Sequence, residues 1–193
     1  MNTIKYTNEE YKLIEKNVIG SGTMATVFFD TQRNKAIKVY DNFSYPSEND
    51  SLSIMKLEPM FLDLKIHHAI VPEEKVYIEP YGLCGYSKEL VKGVDLKTLA
   101  TDEEISKITI ISFLSAYRNL LDDIGAISKR GIHMCNLTNL NIVYDRENNH
   151  FNFIDIDSWD ILPDSDALEY NLKHLQEKTQ TPKILAKILR NTK

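Results

Sequence analysis

MCNLTNLNIVYDRENNHFNFIDID, residues 134–157, is the stretch on which the fold turns. Two asparagines, Asn136 and Asn141, stand five positions apart, and the second opens the apolar run Ile142-Val143-Tyr144. A polar turn follows at Asp145-Arg146-Glu147-Asn148-Asn149, then a second short strand from Phe151 to Ile156. The pattern predicts a hairpin with Asn141 at its entry and Asp155 at its exit. An oxygen ligand leaving a hairpin opposite an asparagine suits Mg²⁺, which takes one or two carboxylates beside substrate phosphate oxygens and keeps its waters. Asp157 offers a second carboxylate. Two aspartates facing a core would be costly to bury unpaired, so an ion or solvent is expected beside them; the plainer reading is a solvated hairpin end.

Upstream, Asp102 is a candidate N-cap with acidic residues in the first turn. An apolar periodic run then passes through Ile110, Phe113, Leu114, Tyr117, Leu120 and Leu121 to Gly131, which predicts one long helix. Tyr11 to Tyr40 alternates apolar pairs with turns, which predicts three antiparallel strands around Gly20-Ser21-Gly22 and Gln32-Arg33-Asn34. Asn49 to Ala69 has helical spacing interrupted by Pro59. Val76 to Glu89 predicts paired strands, Lys92-Gly93 a break, and Asp164 to Lys193 helix. The order is a strand-rich half with one helix, a hinge near Leu90 to Gly93, and a helix-rich half with a hairpin. That is an α+β chain in two lobes, 11–91 and 92–193.

Four segments, with a fifth at the hinge among them, resemble in this order the motifs of protein kinases. Gly20-Ser21-Gly22-Thr23-Met24-Ala25-Thr26-Val27 resembles the Gly-rich loop, with Ala25 at the third glycine; such a loop lets backbone N–H groups approach a triphosphate. Ala36-Ile37-Lys38 resembles the strand whose lysine contacts the α- and β-phosphates and pairs with a glutamate on the next helix, here Glu58, followed at once by Pro59, with Glu48 and Asp63 as alternatives. Glu89 to Val91 resembles the hinge, where backbone groups would bind adenine. Met134 to Asn141 resembles the catalytic loop and Asp155-Ile156-Asp157 the metal-binding motif, with Asn141 and Asp155 as ligands.

The chain departs from the family at three leading positions of that loop. Met134 stands for the histidine, Cys135 for the arginine and Asn136 for the catalytic aspartate. His133 is one residue out of register, and no third group is evident to orient it as a partner for Cys135. The resemblance covers about 17–159 and implies a two-lobed kinase-like fold with a shortened second lobe, similar to very short bacterial kinases and pseudokinases, including effectors injected into host cells. It implies ATP and Mg²⁺ as ligands and Lys38, Asn136 and Asp155 as the residues nearest the chemistry. Two functions follow from it. One is a protein Ser/Thr kinase weakened by Asn136, since loss of a general base typically costs about 10²–10⁴-fold. The other is a pseudokinase that presents a nucleotide-responsive surface to a protein partner. A plain α+β interaction domain would not require the four motifs in order.

The bulk composition narrows the field further. At 193 residues the chain can bury a real core, and 42% hydrophobic with 26% charged residues is ordinary for a globular protein. A net charge of −5 argues against nucleic-acid binding through a basic surface. Cys84 and Cys135, far apart, suggest a reducing compartment without a disulfide framework or zinc site. The polar N-terminus and the lack of about eighteen consecutive apolar residues predict no Sec-type signal and no membrane span. A cytoplasmic protein is expected, with delivery into a host by a non-Sec route left open. Near the C-terminus, Ile184, Leu185, Ile188 and Leu189 share a helical face among Lys183, Lys187, Arg190 and Lys193. This predicts a helix covering the shortened lobe, or else an arm for a protein partner or acidic membrane.

Overall fold

Alternating apolar residues build the first half of the chain into a sheet. The structure, a computed structural model, describes residues 1–43, 54–162, 166–179 and 181–191. By its internal contacts the chain divides into two units, 1–50 with 71–90 and 51–70 with 91–193. In unit one, β1 (Asn2–Tyr6), β2 (Val18–Ser21), β3 (Ala25–Asp30), β4 (Lys35–Tyr40), β5 (Pro72–Ile78) and β6 (Gly82–Glu89) form a six-stranded sheet in the order β1-β5-β6-β4-β3-β2. Only β1 on β5 is parallel. Ile4, Tyr6, Phe28, Ile37, Val39, Val76, Ile78 and Cys84 bury one face, with Tyr11 and Ile14 of helix α1 (Asn8–Ile14) in the same cluster. Thr7 and Glu10 form a reciprocal capping box that starts α1. Neither β1 nor α1 was foreseen in the strand pattern that began at Tyr11.

Unit two opens with a 3₁₀ stretch, Ile54–Met60, and helix α2 (Phe61–Ile66). Pro59 lies inside the first piece, one residue before it ends at Met60. The region of helical spacing over 49–69, interrupted at Pro59, is two short pieces, with 49–53 outside the described residues. This segment groups with unit two, whereas the sequence pattern set it beside the strands. β7 (Val94–Asp95) pairs with β9 (Ile142–Asp145), which forms the hairpin with β10 (His150–Phe153). Gly93, before β7, passes so close to β9 that a Cβ there would lie 2.3 Å from the Tyr144 carbonyl oxygen. β8 (Ile132–His133) pairs with β11 (Asp160–Ile161).

Asp95 caps α3 (Leu96–Leu99), Thr101 caps α4 (Asp102–Ile105) and Thr109 caps α5 (Ile110–Ser128). The long helix predicted from Asp102 is thus two. Each threonine hydroxyl captures the amide three residues on and starts its own helix, which places Asp102 in the first turn of α4 rather than at its cap. No helix among the described residues is long and apolar enough to cross a membrane.

α6 (Ala167–Lys178) and α7 (Thr181–Asn191) close the unit. α7 packs on α4, α5 and α6, burying Ile184 and Ile188, and the Lys187 ammonium donates to the Ala100 carbonyl at 2.8 Å and to Asp102 at 2.9 Å. The terminal helix is therefore seated on the core of its own unit. Deleting residues 183–193 is expected to lower the melting temperature by about 5–10 °C, as loss of a few kilocalories does at ~2–4 °C per kcal/mol in a domain of this size. An unchanged melting curve would mean that the helix contributes no cover.

Candidate functional site

Three of the residues singled out in unit one share one face of its sheet, and Glu89, opposite Lys35, stands on the other. Val27 stands directly opposite Lys38 across β3 and β4, and Ala36 lies two residues before Lys38, so the three share the face turned away from the α1 core. Lys38 is only 8% exposed, and its ammonium lies 5.7 Å from the Tyr40 ring centre and 6.0 Å from that of Tyr86. Those aromatic rings hold the cation and exclude water from its stem. A half-buried strand would by default send a lysine to solvent; this one is enclosed.

Between β2 and β3 the chain turns through Gly22-Thr23-Met24, closed by the Gly22 N–H donating to the Ala25 carbonyl at 2.9 Å. A Cβ at Gly20 would sit 3.8 Å from that of Val27, and one at Gly22 3.7 Å from the Ala25 oxygen; both are ordinary contacts. Gly85 is the contrast, where a Cβ would fall 1.9 Å from the Lys38 carbonyl oxygen. Packing therefore demands glycine at 85 and does not at 20 or 22. Ser21 and Gly22 are exposed, as is Glu89 at the end of β6, opposite Lys35.

The second set lies in unit two. After β8 the chain turns through Cys135, whose N–H donates to the His133 carbonyl at 2.9 Å, into Asn136 in the left-handed region at φ 59. Asparagine is among the few side chains that enter this region readily, so Asn136 suits its backbone as well as differing from aspartate in charge. The side chain of Asn141 turns back on this loop: its Nδ2 donates to the Asn136 carbonyl at 2.9 Å. That bond fixes the amide, and its Oδ1 accepts no hydrogen bond from the described residues. The Asn141 carbonyl accepts the Ile154 N–H at 3.0 Å, so Asp155 follows one residue beyond the last rung of the hairpin. Asn136, Asn141 and Asp155 are thus brought to one end of the hairpin. Asp155 is half-buried and Asp157 buried. Glu58 and Val91, both half-buried, also belong to unit two, while Lys38 and Glu89 belong to unit one; Glu48 lies outside the described residues.

Residues 133–135, just before Asn136, have local roles. Met134 is fully buried, and its N–H donates to Oδ1 of Asn171 on α6 at 2.7 Å. His133 is buried with its ring centre 4.6 Å from that of Tyr170. The Tyr170 hydroxyl donates to the Cys135 thiol at 3.6 Å, and burial, then that thiol, push its pKa upward. Cys135 is thus engaged by a phenol rather than activated by an oriented base.

Asn171 is the residue that sequence reasoning missed. Fully buried, it also donates through Nδ2 to Ser128 Oγ at 2.9 Å and to the Ile132 carbonyl at 2.9 Å, tying α6 to the end of α5 and to both sides of β8. Its signal was a polar residue midway along the buried face of a helix.

Hard oxygen donors at the hairpin end, Asn141 Oδ1 and the Asp155 carboxylate, are of the kind that Mg²⁺ takes when a nucleotide supplies its other ligands. Among the described residues no group of three or more His, Cys, Asp or Glu side chains forms a cage for a metal ion. No protein-family model matches the chain, and no curated protein matches it.

Proposed function

We propose that this chain is a protein kinase-like protein, with a two-lobed fold whose second lobe is shortened, that binds ATP with Mg²⁺ and transfers phosphate weakly to a Ser/Thr hydroxyl of a protein. The observation that carries the reading is the tie from Asn141 to the Asn136 carbonyl, which orients an amide oxygen at the hairpin end from which Asp155 emerges. In this reading Lys38 contacts the phosphates, with Gly20, Ser21 and Gly22 leaving backbone N–H groups open to them. Val27 and Ala36 supply apolar contact to the nucleotide, and backbone groups of Glu89 and Val91 take the adenine. Glu58 holds, in sequence, the place of the acidic residue that serves this lysine in the family the chain resembles. Asn141 and Asp155 hold the ion, which would supply neutralising charge to the phosphate oxygens.

Positioning and charge neutralisation account for most of phosphoryl transfer, so a chain with these groups and no proton acceptor retains a reduced activity. Asn136 itself favours a second reading, a pseudokinase serving as a nucleotide-responsive binding module: an amide still forms hydrogen bonds there and accepts no proton. The similarity is to very short bacterial kinases of the effector type, and the partner is a protein.

Mg²⁺-dependent ATP binding tests both readings against a domain without nucleotide. Saturation at a hundred times Kd is expected to add about 2.7 kcal/mol, or ~5–10 °C in melting temperature for a chain of this size. Lys38→Ala and Asp155→Ala are each expected to remove most of that shift. Equal nucleotide affinity in both variants would discard the site.

A further inference from the structure

Asp123 lies on α5, outside the groups assigned above, and is 8% exposed. A buried carboxylate is costly unless its oxygens are engaged. Here each oxygen takes one imidazole: His67 Nδ1 lies 3.1 Å from Oδ1 and His68 Nδ1 2.7 Å from Oδ2. These histidines end α2, and His68 holds the left-handed backbone at φ 56, a region that side-chain-bearing residues enter sparingly. The His150 ring from β10 lies against that of His68, with centres 4.3 Å apart.

The backbone carries this geometry onward. The His68 carbonyl accepts the Phe153 N–H at 3.0 Å, and the Ile70 N–H donates to the Phe153 carbonyl at 2.8 Å. Phe153 is the last residue of β10, two before Asp155. We propose that Asp123 is a positioning residue: by pinning His67 and His68 it fixes the turn that grips Phe153 and so sets where Asp155 leaves the hairpin. Other ties hold the same segment to unit two, Lys56 to Asp160 at 3.4 Å and Asp63 to Arg130, so that 54–70 and the metal-binding end of the hairpin form one piece. The metal part of this inference rests on the nucleotide reading; the clamp does not.

Amide hydrogen exchange without nucleotide tests the clamp. Asp123→Ala is expected to lose at least tenfold protection at the Ile70 and Phe153 amides. Asp123→Asn, whose amide can both accept from one neutral imidazole and donate to the other, is expected to stay near the parent. In calorimetric titrations the Mg²⁺ concentration for half-maximal ATP binding is expected to rise about tenfold in Asp123→Ala, the low end of what loss of a ligand's supporting partner costs. Metal-free ATP affinity is expected to be unchanged. Should Asp123→Ala not fold, His68→Ala removes the same bond from the more accessible side. Unchanged exchange at Phe153 would overturn the clamp, and lost protection with an unchanged Mg²⁺ requirement would overturn its role in placing Asp155. A parent protein that binds no Mg²⁺–ATP would overturn the nucleotide reading instead, leaving the exchange result to decide the clamp alone.

Discussion

Asn136→Asp is expected to raise phosphotransfer by about 10²-fold or more while leaving nucleotide affinity within about twofold, because a general base acts on the acceptor hydroxyl and not on the phosphates. The change is small in structural terms. The tie from Asn141 is to the backbone carbonyl of residue 136, so the substitution leaves it in place. The residue is exposed, so the new carboxylate carries no burial cost. Its left-handed backbone favours asparagine over aspartate only slightly, a few tenths of a kcal/mol at most on the scale of surface substitutions. Autophosphorylation with labelled ATP, compared with the parent and with Asn136→Asp/Asp155→Ala, is the measurement. An aspartate variant that binds ATP yet stays inert would favour the binding-module reading.

Much of the hairpin from Asn141 to Phe153 was legible because it is local. Asp145 to Asn149 is a turn by composition: Asp145 Oδ1 accepts the amides of Glu147 and Asn148 at 2.9 and 3.1 Å. Such side chain to backbone bonds are what make aspartate a turn former, and they fix the register that sets Asn141 beside Ile154. What sequence reasoning overlooked at the N-terminus was present as a signal, since Thr7-Asn8-Glu9-Glu10 is a capping-box pattern ahead of Tyr11 and Ile14. β1 was harder. It buries only Ile4 and Tyr6 and pairs with β5 some seventy residues away, a contact that no local pattern encodes.

Asp123 and Asn171 were hidden for a different reason. Polar side chains on amphipathic helices are read as surface, and here they are buried because the fold brings polar partners from 37 to 56 positions away. The same kind of contact moved 51–70 into unit two: an isolated pairing of Ala69 with Phe153, the Asp123 clamp and the ion pairs to Arg130 and Asp160 outweigh its neighbourhood in sequence. Helical periodicity reports which residues are apolar, not which polar ones have found each other.

Asn171→Leu is expected to give the largest loss of stability. Leucine matches the volume but leaves the Met134 N–H and the Ile132 carbonyl buried without their partner, while Ser128 Oγ keeps its bond to the Ile124 carbonyl at 2.6 Å. At ~1–3 kcal/mol for each of the two orphaned groups, the cost is about 2–6 kcal/mol. That corresponds to roughly 5–15 °C in melting temperature by thermal denaturation. Asn171→Asp separates the two bonds. A carboxylate still accepts from Met134 but faces the Ile132 carbonyl with no proton to offer, and burial adds to the penalty, so the folded state raises its pKa above the unfolded value of about 4. A group with a raised folded pKa favours folding below its unfolded pKa and loses that contribution as pH rises through the folded one. Asn171→Asp is therefore expected to be closest to the parent near pH 4 and furthest from it at pH 7, whereas the deficit of Asn171→Leu stays flat. Equal deficits for the two variants across that range would show that the amide contributes by packing alone, and that the entry to the Asn136 loop is held by something other than Asn171.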